Sequence, residues 1–176
     1  MKSKNILFTG PPGCGKSTLI EKIVNEIERP STGFFTREMR EKGHRVGFSI
    51  NTLDGKQGVL AHQSIRSKYR VGKYGVNLED IDYIAVPSMI PANEEMMVII
   101  DEIGKMECFS PLFRETVIRI LDSKHSVIGS IPLRGGLFIE RIKKRKDIML
   151  IQVSEKNRDT LVKELLERII PLSGER

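Results

Sequence analysis

Cysteine is scarce in this chain. Cys14 and Cys108 are the only two among 176 residues, too few for a disulfide framework and without the C-x-x-C spacing of a zinc site. No apolar run approaches the roughly 20 residues of a membrane-spanning helix, so no membrane partner is expected. Met1–Lys4 lead directly into the first apolar segment and leave no room for a secretory leader, so the expected location is the cytoplasm. Aromatics are missing from the longest basic cluster, Arg141, Lys143, Lys144, Arg145 and Lys146. Without a stacking platform, that cluster reads as a solvated helix face rather than a single-strand-binding surface.

What is present is a basic excess, +6 with a pI near 9.4, compatible with nucleic acid and equally with nucleotide phosphates. The length predicts one domain over residues 1–176, large enough to bury a core without staples.

The most informative stretch is Gly10-Pro11-Pro12-Gly13-Cys14-Gly15-Lys16-Ser17-Thr18. It matches G-x-x-x-x-G-K-[ST] and lies in the right context. Asn5–Thr9 read as a buried strand before it. Leu19, Ile20, Ile23, Val24 and Ile27 mark one face of a helix after it. Backbone N–H groups wrap a phosphate only where the chain turns sharply, which Gly10, Gly13 and Gly15 permit. The following helix directs its unsatisfied N–H groups and positive dipole end at the same anion. Lys16 adds a point charge for the β- and γ-phosphates, and the Ser17 hydroxyl suits Mg²⁺. Cys14 reads as a variable loop position.

Downstream, Gly33–Arg37 and Arg45–Leu53 read as strands, and Asp54-Gly55 is a hairpin turn returning through Lys56–Ala61. A small β-meander is therefore expected between the first helix and the rest of a parallel sheet, its first strand being a candidate member of that sheet. Residues 62–77, basic and without a clean period, read as a loop. It either closes over a nucleotide, with a tyrosine on the base, or merely connects. Asn77 caps a helix through Ile81 and Ala85 that Pro87 interrupts, with a further short helix toward Pro91.

The second informative stretch is Met96–Glu102. A continuous apolar run ending in a carboxylate reads as a central parallel strand with its acid at the carboxyl edge, where open α/β sheets bind ligands. Asp101 is the expected second Mg²⁺ ligand beside Ser17. Glu102 is the expected base that orients and deprotonates water for attack on a γ-phosphate. Lys105, on the same loop, is the candidate transition-state cation, with Arg134 as a second. Ser110-Pro111 starts a helix, Ser126–Ile131 form a strand ending at a possible phosphate sensor, Ser130, and Ile148–Val153 form the last strand. A helix face of Leu161, Val162, Leu165, Leu166, Ile169 and Ile170 follows, closed by Pro171. Asn157 or Arg158, at the last strand's exit, is expected beside the base, unless Asn157 only caps the helix.

Together, Gly10–Thr18, Asp101-Glu102-Ile103-Gly104-Lys105-Met106-Glu107 and Ser154–Asp159 resemble the small phosphate-loop nucleoside-triphosphatases of thermophilic bacteria and archaea, which have a vertebrate relative, cancer-related nucleoside-triphosphatase. The resemblance spans essentially the whole chain. It implies a RecA-like α/β core, a mostly parallel sheet flanked by helices with the antiparallel meander added. It also implies Mg²⁺-dependent hydrolysis of ATP, GTP and other triphosphates to diphosphates, and a nucleotide contact set extending over Asp101–Lys105. A monomer is expected. Two alternatives stay open: a nucleoside or nucleotide kinase, and a nucleic-acid-dependent ATPase.

Overall fold

In a computed structural model, which describes residues 4–169, nine strands form one mixed sheet in the order β5-β6-β4-β3-β2-β7-β8-β1-β9. The parallel half comprises β2 (Ser31–Glu41), β7 (Met97–Asp101), β8 (Val127–Ser130), β1 (Asn5–Thr9) and β9 (Ile148–Gln152). The antiparallel half comprises β3 (His44–Thr52), β4 (Gln57–His62), β6 (Tyr74–Val76) and β5 (Arg70–Val71). The expected meander shares its first strand with the parallel sheet, because β2 pairs in parallel with β7 on one side and antiparallel with β3 on the other.

The side-chain period of two assigns each parallel strand to both helical layers. Ile6 and Phe8 of β1, with Met97 and Ile99 of β7, pack under α1 (Lys16–Glu26) and α6 (Arg158–Ile169). Leu7, Val98 and Ile100 face the opposite layer, which contains α4 (Pro111–Asp122) and α5 (Leu137–Lys143). Burial on both faces explains why these strands read as unbroken apolar runs rather than alternations. Among the described residues, no helix is long and apolar enough to cross a membrane.

Two expectations change. Residues 62–77 are not all loop: Arg70–Val71 and Tyr74–Val76 form a hairpin against β4. Tyr74 is buried edge-on to Phe48 with ring centroids 5.3 Å apart, and Tyr69 packs on Phe109. Both rings are therefore committed to packing, and of this segment Val71 is the residue that reaches the main cleft. Pro87 also does not break the helix after Asn77. The chain runs from α2 (Leu78–Asp80) through a π-turn (Ile81–Ala85) into α3 (Val86–Ser88). Proline sits in the first turn of α3, where a missing N–H costs little. No helix continues to Pro91. Ile170 and Pro171 lie outside the described residues.

Ser110 fixes the start of α4. Its fully buried hydroxyl accepts from the Phe113 N–H at 3.0 Å and donates to Asp82 of the π-turn. Ser110→Ala removes the cap and strands the Asp82 carboxylate, so about 1–2 kcal/mol of stability should be lost, readable as a lower urea midpoint at unchanged slope.

Candidate active site

The loop after β1 and the loop after β7 meet at the carboxyl edge of the sheet. With residues of β2, β3, β4 and β5 they enclose a cleft of about 490 Å³. From the first loop come Pro12, Gly13, Gly15, Lys16, Ser17 and Thr18, and from the β7 exit Asp101, Glu102 and Lys105. Gly15 is the residue before α1 and has φ 99°, a conformation that L side chains rarely adopt. The Lys16 ammonium donates to the carbonyls of Gly10 and Pro11, each at 3.1 Å, and so lies along the loop it belongs to. Gly10, Pro11, Cys14, Ile103 and Gly104 do not line the cleft. The Cys14 and Ile103 side chains are buried in the two apolar layers, where they anchor the loops.

Asp101 is almost fully buried. One carboxylate oxygen accepts from the Ser130 hydroxyl, and the other, Oδ2, has no hydrogen-bond partner. Burial pushes its proton affinity up, opposed by the hydroxyls of Ser130 and Ser17 and by the charges of Arg37 and Lys16. An unpartnered carboxylate oxygen with a serine hydroxyl in the same cleft is a hard-oxygen donor set of the kind Mg²⁺ takes when phosphates complete its shell. Among the described residues no cluster of three His, Cys, Asp or Glu side chains could hold a metal. A divalent ion here would draw the rest of its shell from water or from a bound ligand. Ser130 is buried and engaged with Asp101, so it orients that carboxylate rather than facing the cleft.

Glu102 is half-buried beside it, joined to Asp101 by a cis peptide. Burial and then the Asp101 charge push the Glu102 carboxyl up, with Lys16 opposing. Lys105 is exposed on the cleft wall. Arg134 lies apart, lining with Lys105 and Arg114 a neighbouring cavity of about 570 Å³ between the β7 and β8 exit loops.

Arg158 and Asn157 divide. Arg158 lines a smaller cavity of about 160 Å³ against Gly15 and Thr18. Its Cδ would stand 3.1 Å from a Cβ added at Gly15. Asn157 accepts from the Ser154 N–H at 2.8 Å and donates to the Gln152 carbonyl at 2.9 Å, so its amide is spent holding the exit loop. Of the basic cluster, Arg145 pairs with Asp122 and Asp147, and Lys143 with Glu140.

Four cleft residues escape a reading of periodicity: Thr36 of β2, and Phe48, Leu60 and Val71 of the antiparallel half. Arg37 acts on Asp101 from the same direction while paired with Glu21. Their signal is the register Phe35↔Asp101, which sets the residues after Phe35 at the end of β7. Met106 and Glu107 are the other omissions, Glu107 a nearly fully buried acid on the cleft wall.

Residues 5–166 match the family described as NTPase. Nucleoside-triphosphatase THEP1 of Thermotoga sp. (strain RQ2) is 49% identical over 162 residues, 92% of each chain. The crystal structure of THEP1 from the hyperthermophile Aquifex aeolicus superposes with a TM-score of 0.85 at 36% identity, covering 93% of this chain and 97% of that one. The solution structure of a human cancer-related nucleoside triphosphatase gives 0.80 at 33% identity, covering 98% and 99%.

Proposed function

The chain belongs to the NTPase family, and we propose that it hydrolyses nucleoside 5'-triphosphates to diphosphate and phosphate, with Mg²⁺ and with little preference among bases. The observation that carries this reading is one cleft combining Lys16 and Ser17 of the glycine-rich loop with Asp101 and Glu102 of the strand end.

In this reading the loop N–H groups and Lys16 bind the phosphates, while Ser17 and Asp101 would hold Mg²⁺, which would supply positive charge against the negative charge of the phosphates. Glu102 orients the attacking water and takes its proton. Lys105 meets the negative charge that develops on the transferred group. Thr36, Phe48, Leu60 and Val71 form a largely apolar wall that limits water near the reacting phosphate.

Support for base tolerance comes from the small cavity beside Gly15. Its polar side chains, Thr18, Lys22, Arg158 and Asp159, are all exposed. Sharp base discrimination needs buried polar groups that a wrong base would leave unpaired. A phosphotransferase reading draws on the cavity of about 570 Å³ beyond Lys105, which has room for an acceptor.

Phosphate release from ATP, GTP, CTP and UTP, with and without EDTA, tests the reading. Rates within about tenfold of one another, abolished by the chelator and indifferent to added nucleosides or RNA, are expected. Transfer of phosphate to an acceptor in preference to water would overturn it. Arg158→Ala should raise KM for all four triphosphates alike, by about 2–10-fold with kcat held, as the guanidinium expected beside the base is lost.

A further inference from the structure

We infer that the cavity beyond Lys105 is a second ligand site. It takes a phosphate monoester with a flat apolar body and, when occupied, slows hydrolysis by drawing Lys105 away from the catalytic cleft. The site stands on its own residues, whereas its effect on turnover rests on the hydrolytic reading above, in which Lys105 meets charge in the transition state.

The cavity measures about 570 Å³, within the range usual for a small-molecule site. Its lining divides into an apolar part and a cationic part. Phe109 and Phe138 are half-buried against the core and Ile139 is buried in it. Leu137 beside them is 88% exposed, so an apolar body bound there would also cover that side chain. The charged lining residues are Lys105, Arg114 and Arg134, with no Asp or Glu among them. Among the described residues none of these three cations forms an ion pair. Glu140, the acid that touches the same loop, is engaged with the Gly135 N–H and with Lys143. The Cys108 thiol is pushed up to about 12, by burial first, and so brings no negative charge.

Three like charges around one cavity repel one another, and an anion between them relieves that repulsion. A phosphate monoester carries close to two negative charges at neutral pH, and its oxygens accept the forked N–H groups of arginine. The phenylalanine rings supply the surface for a flat body. No amide or hydroxyl side chain lines the cavity, so the body is held by apolar contact.

Both walls are fixed before a ligand arrives, which lowers the ordering cost of binding. On the β7 side the Cys108 N–H donates to Gly104 O at 3.1 Å, and Arg114 Nη1 donates to the Cys108 carbonyl at 2.6 Å. On the β8 side Lys143 Nζ donates to Leu133 O at 2.6 Å and the Gly135 N–H to Glu140 Oε1 at 3.2 Å, which ties that loop to α5. Gly135 lies so close over the helix that a Cβ there would stand 2.6 Å from Ile139. Lys105 is the link between the two sites, because it is exposed and lines both. Its flexible stem lets one ammonium serve either, so an anion in the cavity competes for it with the reacting phosphate.

Calorimetric titration tests the site, with Mg²⁺ and a non-hydrolysable triphosphate filling the catalytic cleft and with AMP, phenyl phosphate, phenol and inorganic phosphate as probes. The esters should bind, and phenol and inorganic phosphate should bind at least about tenfold more weakly. The tighter ester tells a nucleotide ligand from a simpler aryl phosphate. Gly136 supplies the sharpest variants, because it lines the cavity just before α5 at φ −68° and a Cβ there meets nothing within 4 Å. Asn and Asp both suit the position ahead of a helix, so both variants should fold. G136N should bind the ester within about threefold of wild type. G136D, with an acid set among the cations, should bind it about tenfold or more weakly, and R134A about 5–20-fold more weakly. Without probe, G136N and G136D should release phosphate from ATP at the wild-type rate.

At saturating ester, wild-type kcat should fall by about 3–10-fold with KM within about twofold, since the lysine acts in the transition state. K105A should start slow and show no further fall. Failure of both esters to bind, inorganic phosphate binding as tightly as they do, equal affinity in G136N and G136D, or binding that leaves kcat unchanged would each overturn the inference. So would ADP formed from AMP with GTP as the triphosphate, because the cavity would then hold an acceptor. A wild-type protein that releases no phosphate even without probe is a different failure, that of the hydrolytic reading, and the binding titrations still decide the site.

Discussion

Glu102→Gln is expected to bind Mg²⁺-nucleotide like the wild type while kcat falls by roughly 10²–10⁴, the usual contribution of a positioned base. In-line attack on a γ-phosphate needs a nucleophile fixed opposite the leaving oxygen, with a proton acceptor in reach. Asp101 does not suit the acceptor's role, since it is buried, engaged with Ser130, and presents its remaining oxygen as a metal ligand would. Glu102 is the adjacent acid, on the cleft wall, and burial together with the Asp101 charge raises its proton affinity. For a general base that direction is favourable, because a carboxylate near its usual value takes protons from water poorly at neutral pH. Glutamine retains shape and hydrogen bonding but cannot accept the proton. Single-turnover kinetics beside a binding titration separates the outcomes. Turnover within a few-fold of wild type would remove the water-activating role and favour phosphotransfer to another acceptor. Loss of binding instead would make Glu102 a structural or metal-holding residue.

Lys16→Ala should weaken triphosphate binding by about 10–10²-fold, with a further fall in turnover, while the protein stays folded. A hydrogen bond to a charged group is worth about 1.5–3 kcal/mol, and 1.4 kcal/mol is a factor of ten in affinity. The ammonium's partners in this structure are two carbonyls of its own loop, Gly10 and Pro11, of which the exposed Pro11 carbonyl hydrates when it is removed. The fold therefore loses little, and the melting temperature should move by no more than a few degrees. On the proposed role of Lys16 at the terminal phosphates, affinity for the triphosphate should fall more than affinity for the monophosphate. Isothermal titration of both ligands measures that difference. Near-normal hydrolysis by the alanine variant would rule out the phosphate-loop assignment.

Where the physics is local, the order of residues was enough. Glycines at fixed intervals before Lys16-Ser17, an apolar run closed by Asp101-Glu102, and the serine–proline start of α4 each specify geometry within a few residues, and the structure contains all three. Their convergence follows from the α/β rule that strand ends of a parallel sheet share one edge. What faces them is set by long-range pairing. Strand order arises between distant segments, and no periodicity records that β2 lies against β7, which is what brings Thr36 and Arg37 toward Asp101. The hairpin at residues 70–76 is invisible in the sequence for the same reason. Two- and three-residue strands have no period to detect, and their order comes from β4 and from the burial of Tyr74. As a residue in a chain, Asn157 is equally able to meet a base or to cap, and two hydrogen bonds within its own loop decide it. Glu107 stands in the sequence as the last acid of the Asp101–Glu107 run, with no role assigned to it. Its character comes from burial and from a second carboxylate across Gly104, because the charge state of an acid is set by its surroundings and not by its neighbours in the chain.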